Sequence, residues 1–174
     1  MKKMNHGSSA EKNRTTKDAE SMNRGNTFDD LEAFLHWWWA IRPINTPSDA
    51  SLVHQKDTYG VVLYRQAPYQ VELFNVKPNS EIVSHQHPNV DSFEVYIGGD
   101  IKFMCNGTWF DQTTLGTKIR VLPNSWHGGL FGEKGGCFLS VQKWLNGVPP
   151  SFVGDDWKDE AETASYKDSG HIKE

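Results

Sequence analysis

The chain has 174 residues, enough for one domain with a sizeable hydrophobic core. Its formal net charge of −4 argues against nucleic acid as the main partner. No apolar run approaches the roughly 20 residues that span a bilayer, and no signal-peptide pattern follows the basic N-terminus. Two cysteines are too few for a disulfide scaffold, so we expect a cytoplasmic protein with no membrane partner.

The N-terminal part divides into a polar tail and a helix. Residues 1–26 contain almost nothing that could be buried, which predicts a disordered tail. Thr27 is the predicted N-cap of a helix that ends before Pro43, within an N-terminal unit spanning residues 27–51. Helical spacing is shown by the apolar residues Leu31, Phe34, Leu35 and Trp38. Three consecutive tryptophans, residues 37–39, must meet either the rest of the domain or another subunit.

From residue 52 to residue 150 the pattern changes to short strands separated by turn signals. Lys77-Pro78-Asn79-Ser80 and Asn106-Gly107 are strong turn signals. We also expect Gly98-Gly99, Gly128-Gly129 and Gly135-Gly136 to be turns. This pattern predicts an all-β sandwich or barrel, followed by a polar tail from residue 151 to residue 174.

Three histidines carry the clearest chemical signal. His85 and His87 are two residues apart, and residues at that spacing face the same side of a β-strand. Acidic residues follow at Asp91 and Glu94, and His127 lies far downstream. If a second strand brings His127 to the same point, imidazole and carboxylate ligands together form a site for a first-row transition metal.

Strand alternation leaves the carboxylate ligand open. If Phe93 and Val95 face the interior, Asp91 faces it too, and this apolar pattern favours Asp91. If Tyr96 faces inward instead, Glu94 is the better candidate. A site made of three histidines alone is the remaining alternative.

Three further residues are candidates for substrate binding. Gln142 shares one face of the last long strand with Ser140, and its amide could hydrogen-bond to a substrate or be solvated on the outer face. Arg65 could pair with a substrate carboxylate. Trp126, beside His127, could form a wall of the pocket or simply pack.

These residues resemble the two motifs of the cupin superfamily over about residues 52–146. The first motif is matched by His85-x-His87, the acidic pair and Gly98-Gly99, and the second by Pro123 and His127. The chain departs from the motifs at several points, and the asparagine that usually follows the last histidine is missing. Asn79 and Ser125 stand where glycines are usual, and His127 comes one residue early.

The resemblance implies a fold, a cofactor and an activity. The fold would be a double-stranded β-helix, or jelly-roll, barrel with a short N-terminal helix. The cofactor would be one divalent transition metal, with Fe(II) favoured and Mn, Ni, Zn or Cu as alternatives. The favoured activity is a dioxygenase that oxidises a small organic molecule with O2. A non-oxidative decarboxylase, isomerase or lyase and a non-catalytic binding protein are the alternatives. The resemblance also implies a homodimer, with the tryptophan-rich helix at its interface.

Overall fold

The computed structural model describes residues 28–47, 51–55, 57–150 and 153–154. The predicted N-terminal tail, residue Thr27 and most of the predicted C-terminal tail lie outside this part of the chain. None of the described residues forms a helix with the length and apolar character needed to cross a bilayer.

The described residues form one α-helix and an eight-stranded sheet. The elements in chain order are α1 (Leu31–Ile41), β1 (Ser51–Gln55), β2 (Thr58–Gln66), β3 (Tyr69–Val76), β4 (Ser80–His85), β5 (Val90–Cys105), β6 (Thr108–Gln112), β7 (Lys118–Val121) and β8 (His127–Trp144). A short 3₁₀ turn follows β8. The predicted all-β barrel with a short N-terminal helix is confirmed.

Strand β8 is central to the sheet. The strands are hydrogen-bonded in the order β1-β2-β3-β8-β5-β6, while β4 also pairs with β8 and β7 with β5. All of these pairings are antiparallel. The C-terminal half of β8 lies between β3 and the start of β5, and its N-terminal half lies between β4 and the end of β5. Two long strands therefore run through both halves of the barrel.

The glycine pairs are bends inside strands, so the prediction that they are turns was wrong. Gly98-Gly99 lies within β5, and Gly128-Gly129 and Gly135-Gly136 lie within β8. The β5–β8 register shifts on both sides of Gly98-Gly99, as expected for β-bulges. A Cβ on Gly99, whose φ is 100°, would lie 2.4 Å from the Gly135 carbonyl oxygen. Glycine here lets the two strands bend together without ending.

The N-cap of helix α1 lies three residues later than the predicted cap, Thr27. Asp30 is the N-cap, in an extended conformation, and its Oδ1 accepts a hydrogen bond from the Ala33 N–H at 2.8 Å. The helix ends as predicted just before Pro43, where Arg42 adopts a left-handed conformation.

The helix packs against one face of the sheet in its own chain. Its buried residues Leu31, Phe34, Leu35 and Trp38 contact a cluster from four strands, made of Tyr64, Tyr69, Val71, Phe93, Val95, Leu139 and Val141. Residues of alternate parity on the same strands line the opposite, interior face of the sheet. The helix is thus packed against its own barrel. A dimer through this helix stays a prediction.

We expect Phe34→Ala to destabilise the protein by about 3–5 kcal/mol, because a large buried ring is replaced by a cavity. Phe34 is fully buried, and its ring stacks on Tyr69 at a centroid distance of 4.2 Å. Urea unfolding is the measurement. The matched control is His36→Ala on the exposed side of the same helix, which should change stability by less than about 0.5 kcal/mol. Equal effects of the two variants would contradict the packing described here.

Candidate metal centre

Three histidines converge at one end of the barrel. His85 ends β4 and pairs in register with His127, which begins β8. The ring centroids of these two lie 4.2 Å apart, and that of His87 lies 5.0 Å and 5.2 Å from them. One ligand atom from each of the three residues lies within 4.8 Å of the others. This is the spacing at which one ion can contact all three side chains.

His87 reaches the cluster from outside a regular strand. Strand β4 ends at His85, and Gln86 then forms an isolated bridge with Val153. The His87 carbonyl accepts a hydrogen bond from the Asn124 N–H at 2.8 Å. That bond fastens the His87 segment to the loop that leads into His127.

Local backbone carbonyls orient two of the rings. Nδ1 of His85 lies 2.8 Å from the Val83 carbonyl oxygen, and Nδ1 of His127 lies 2.9 Å from that of Ser125. A carbonyl can only accept, so each Nδ1 carries the proton and each Nε2 is the nitrogen that carries the lone pair. Metal-binding histidines are commonly oriented in this way.

Burial keeps His127 in the form that can bind a metal. His85 and His127 are buried and His87 is half-buried. Desolvation lowers the pKa of His127 to about 4, although the Ser125 carbonyl opposes the shift. The neutral imidazole of His127 is therefore its stable form at neutral pH, and a neutral imidazole nitrogen is a suitable ligand for a first-row divalent metal.

Asp91 lies away from the three histidines. Its two carboxylate oxygens accept hydrogen bonds from Arg120, at 3.1 Å to Nε and 2.8 Å to the terminal nitrogen. The Arg120 guanidinium also lies over the Phe93 ring, 5.6 Å from its centroid. Asp91 thus shares the side of β5 that carries Phe93, and it is not part of the histidine cluster.

Glu94 faces the interior but also lies outside the cluster of mutually close ligand atoms. Its Oε1 accepts hydrogen bonds from the hydroxyls of Ser92 at 2.8 Å and Ser140 at 3.0 Å. Burial raises the pKa of Glu94 to about 7, the negative charge of Glu72 adds to the shift, and the serine hydrogen bonds oppose it. Among the residues that the structure describes, the cluster therefore consists of three histidines without a carboxylate.

Gln142 is an interior residue whose amide is held by neighbouring side chains. Its Oε1 accepts a hydrogen bond from the Trp144 indole N–H at 3.0 Å, and its Nε2 donates to the Ser140 hydroxyl at 3.2 Å. It is 6% exposed. Gln142 is thus the start of a hydrogen-bonded series that continues through Ser140 to Glu94.

Arg65 contacts the interior residue Gln70, and Trp126 lies next to His127 in the chain. Arg65 donates from Nε to Gln70 Oε1 at 2.7 Å, and its guanidinium lies 6.0 Å from the Trp144 ring centroid. Trp126 is partly exposed beside His127, and its backbone N–H donates to Asn106 Oδ1 at 2.9 Å.

The interior of three adjacent strands carries a polar patch that sequence reasoning only partly found. Its members, in matched register across β3, β8 and β5, are Gln70, Gln142 and Ser92, and then Glu72, Ser140 and Glu94. Glu72 is fully buried and was not predicted. The signal for it was the alternation of Gln70 and Glu72 with apolar neighbours in β3.

A very small cavity, with room for about one water molecule, lies next to this polar patch. It is lined by Glu94, Tyr96, Ile101, Phe103, Gln112, Ile119 and Phe138. Phe103 also packs roughly parallel to the His127 ring, with centroids 6.4 Å apart. The cavity and the histidine cluster therefore share a wall.

Similar solved structures have the same fold. KdgF from Halomonas sp. is 11% identical, with a TM-score of 0.50 over 53% of this chain and 84% of that one. An RmlC-like cupin from Shewanella frigidimarina is 15% identical, with a TM-score of 0.50 over 58% and 86%. This chain has the cupin fold. No protein-family model matches the sequence, and no curated protein matches it. At these identities the likeness shows the fold alone, and the chemistry of the protein depends on its own residues.

We expect Glu94→Gln to stabilise the metal-free protein at alkaline pH. The folded protein binds the Glu94 proton more tightly than the unfolded chain, so this group favours folding below about pH 4.5 and loses that contribution as the pH rises through about 7. A neutral glutamine avoids the loss, which is about 3 kcal/mol for this shift. Urea unfolding from pH 4 to pH 9 measures it, with Asp111→Asn as the exposed control. Parallel pH profiles for Glu94→Gln and the unmodified protein would contradict the assignment.

We expect Asp91→Asn to leave metal binding intact, because its carboxylate is paired with Arg120 away from the histidines. The ion pair is partly exposed, so stability should fall by less than about 1 kcal/mol. Metal stoichiometry after reconstitution checks the first point. A loss of bound metal in this variant would make Asp91 a ligand.

Proposed function

We propose that this cupin is a metal-dependent enzyme that binds one divalent transition metal through His85, His87 and His127. The observation that supports this most directly is the convergence of the three side chains, with ligand atoms within 4.8 Å of one another. Two of the three rings are also oriented by carbonyls of their own backbone. Surface histidines with no ligand role do not need such matched orientation.

The favoured metal is Fe(II), and the favoured reaction is the oxidation of a small organic molecule by O2. The metal, when bound, would supply the redox chemistry, and three protein ligands leave coordination positions open for reactants. The protein would contribute a site with two buried imidazoles, beside a very small cavity with mainly apolar walls. Neutral ligands would leave the full ionic charge available to attract electron-rich oxygen atoms.

A non-oxidative isomerase or lyase is the second candidate. The observation that favours it is Glu94, a buried carboxyl group beside the cavity. Burial raises the pKa of Glu94 to about 7. A group with this pKa can both accept and return a proton at neutral pH. Such a reaction would use the metal for Lewis-acid polarisation, and Zn, Mn or Ni would serve as well as iron.

The first test is the metal content of the protein after reconstitution with Fe(II), Mn(II), Ni(II) or Zn(II). We expect one bound ion per chain in the unmodified protein and a loss of at least about tenfold in affinity for His87→Ala, because one of three ligands is removed. The matched control is His36→Ala, a histidine on the exposed side of α1 that should leave metal binding unchanged. Metal-free protein after every reconstitution would overturn the proposal and leave a cupin that binds ligands without a metal.

Oxygen consumption then separates the two candidate reactions. Iron-loaded protein that consumes O2 in the presence of candidate substrates supports the dioxygenase. Turnover that continues at the same rate without O2, or with Zn in place of iron, supports the isomerase or lyase.

A further inference from the structure

His87 differs from the other two histidines of the cluster in how its backbone is held. His85 and His127 lie on strands β4 and β8 and are paired in register with each other. His87 follows the end of β4, and Pro88 beside it has no N–H to donate to a neighbouring strand. The position of the His87 side chain therefore depends on contacts outside the regular pairing of β4 with β8.

A segment that follows β8 contacts the chain just before His87. We define this segment by its described residues, 145–150 and 153–154, and call it the strap. The Gln86 N–H donates to the Val153 carbonyl at 2.9 Å, and the Val153 N–H donates to the Gln86 carbonyl at 2.8 Å. This reciprocal pair forms the isolated antiparallel bridge next to the histidine cluster.

The strap also contacts the chain just after His87, at Asn89. The Leu145 N–H donates to the Asn89 carbonyl at 2.8 Å. The Asn89 side-chain amide donates to the carbonyls of Val148 at 3.2 Å and Pro149 at 2.8 Å. The chain that carries His87 is therefore held by the strap both at the residue before it and two residues after it.

The two ends of the strap are held in different ways. The strap starts directly after Trp144, a buried residue at the end of β8, and the Pro150 side chain is fully buried. Val153 near the other end is 52% exposed, so its contact with Gln86 depends on the two backbone hydrogen bonds. Removing one of these bonds should release this end of the strap without disturbing the hydrophobic core.

A further hydrogen bond joins His87 to the loop before His127. The Asn124 N–H donates to the His87 carbonyl at 2.8 Å, and Asn124 has a left-handed backbone with φ of 63°. A change at Asn124 would disturb the approach to His127 as well. The strap is therefore the better place at which to change the support of His87 while His127 keeps its own.

We propose that the strap positions His87 and so decides whether the metal site has three ligands or two. This deepens the proposed function and rests on the histidine cluster as the metal site. With the strap released, His85 and His127 would stay paired by their strands, while the chain at His87 would lose its support on both sides. Val153 and Asn89 are thus positioning residues that act through His87.

The proposal couples the affinity for the metal to the docking of the strap. Groups that orient a metal ligand typically contribute about 10- to 100-fold to metal affinity. Thermodynamic linkage then requires the bound metal to favour the docked strap by the same factor. The strap should open less often in metal-loaded protein, and amide hydrogen exchange measures such opening.

Zn(II) binding to Val153→Pro is the first test. Proline removes the N–H that donates to the Gln86 carbonyl, at a position whose side chain is exposed. We expect Zn(II) affinity, measured by competition with a chelating dye, to fall at least about tenfold. The matched control is Val153→Ala, which keeps the N–H and should bind Zn(II) as the unmodified protein does. Unchanged affinity in a folded Val153→Pro protein would overturn the proposal.

Asn89→Ala takes the place of Val153→Pro if the proline variant does not fold. It removes the amide that donates to the carbonyls of Val148 and Pro149, so Zn(II) affinity should again fall at least about tenfold. The matched control is Asn75→Ala, at an exposed asparagine on β3, which should leave Zn(II) affinity unchanged. Equal Zn(II) affinity in folded Asn89→Ala and Asn75→Ala proteins would then contradict the positioning role.

Histidine ring signals in the NMR spectrum of metal-free protein distinguish failure of this proposal from failure of the metal site. In Val153→Pro we expect the His87 signal to shift and those of His85 and His127 to stay in place. A strap that only stabilises the fold would lower stability without a selective shift at His87. If the unmodified protein binds no metal but this shift appears, the metal proposal fails and the positioning of His87 stands. An unmoved His87 signal would overturn the positioning whether or not metal binds.

Hydrogen exchange in the full chain tests the coupling from the other direction. Saturating Zn(II) should slow exchange of the Gln86 and Val153 amides at least about tenfold, matching the loss of affinity in Val153→Pro. In His87→Ala most of this slowing should disappear, because the metal no longer contacts the chain that the strap holds. Equal slowing in His87→Ala and in the unmodified protein would overturn the link through His87.

Discussion

The register of β8 against its neighbours is the constraint on which the rest of this structure depends. Near its start, β8 places His127 opposite His85 on β4. Further along, it places Ser140 between Glu72 on β3 and Glu94 on β5. A slip by one residue would turn every one of these side chains to the other face of the sheet. The histidine cluster and the polar patch are thus two results of a single set of backbone hydrogen bonds.

The same register makes the sheet unusual in being buried on both faces. One face carries Val71, Phe93 and Val141 under the aromatic side of helix α1. The other face carries carboxyl, amide and hydroxyl groups that would normally be solvated. Hydrogen bonds such as Ser140 to Glu94 offset part of the cost of burying them, but the raised pKa of Glu94 shows that the compensation is incomplete. Local destabilisation of this kind is common at sites where a protein carries out chemistry.

The sequence was sufficient for the barrel, the helix and the three histidines, because each depends on a local pattern. Short strands separated by turn signals predicted the barrel, and the spacing of His85 and His87 identified one side of the cluster. The prediction of turns at the glycine pairs was wrong because β-bulges and turns both favour glycine. What distinguishes them is the close approach of Gly99 to Gly135, which is a contact between distant parts of the chain.

The positions of Asp91 and Glu94 could not be predicted from the local sequence pattern either. The apolar pattern favours Asp91 only if Phe93 and Val95 face the barrel interior. They are indeed buried, but under a helix, and Glu94 faces the interior instead. Alternation reports which residues share a face and leaves open which face is the site. Glu72 escaped notice for a similar reason, since it becomes significant only when β8 brings it beside Ser140.

The pairing of β3 with β8 also has a consequence for how the chain folds. It joins Tyr69 to Lys143, and the pairing of β4 with β8 joins His85 to His127. Contacts between such distant residues form only after large loops have closed. The entropy lost in closing these loops is not offset until the strands pair, which makes folding slow. The three histidines meet only after β8 has joined both halves of the barrel. Capture of a metal ion by all three would therefore report the completion of folding, and the ion would arrive too late to guide the early steps.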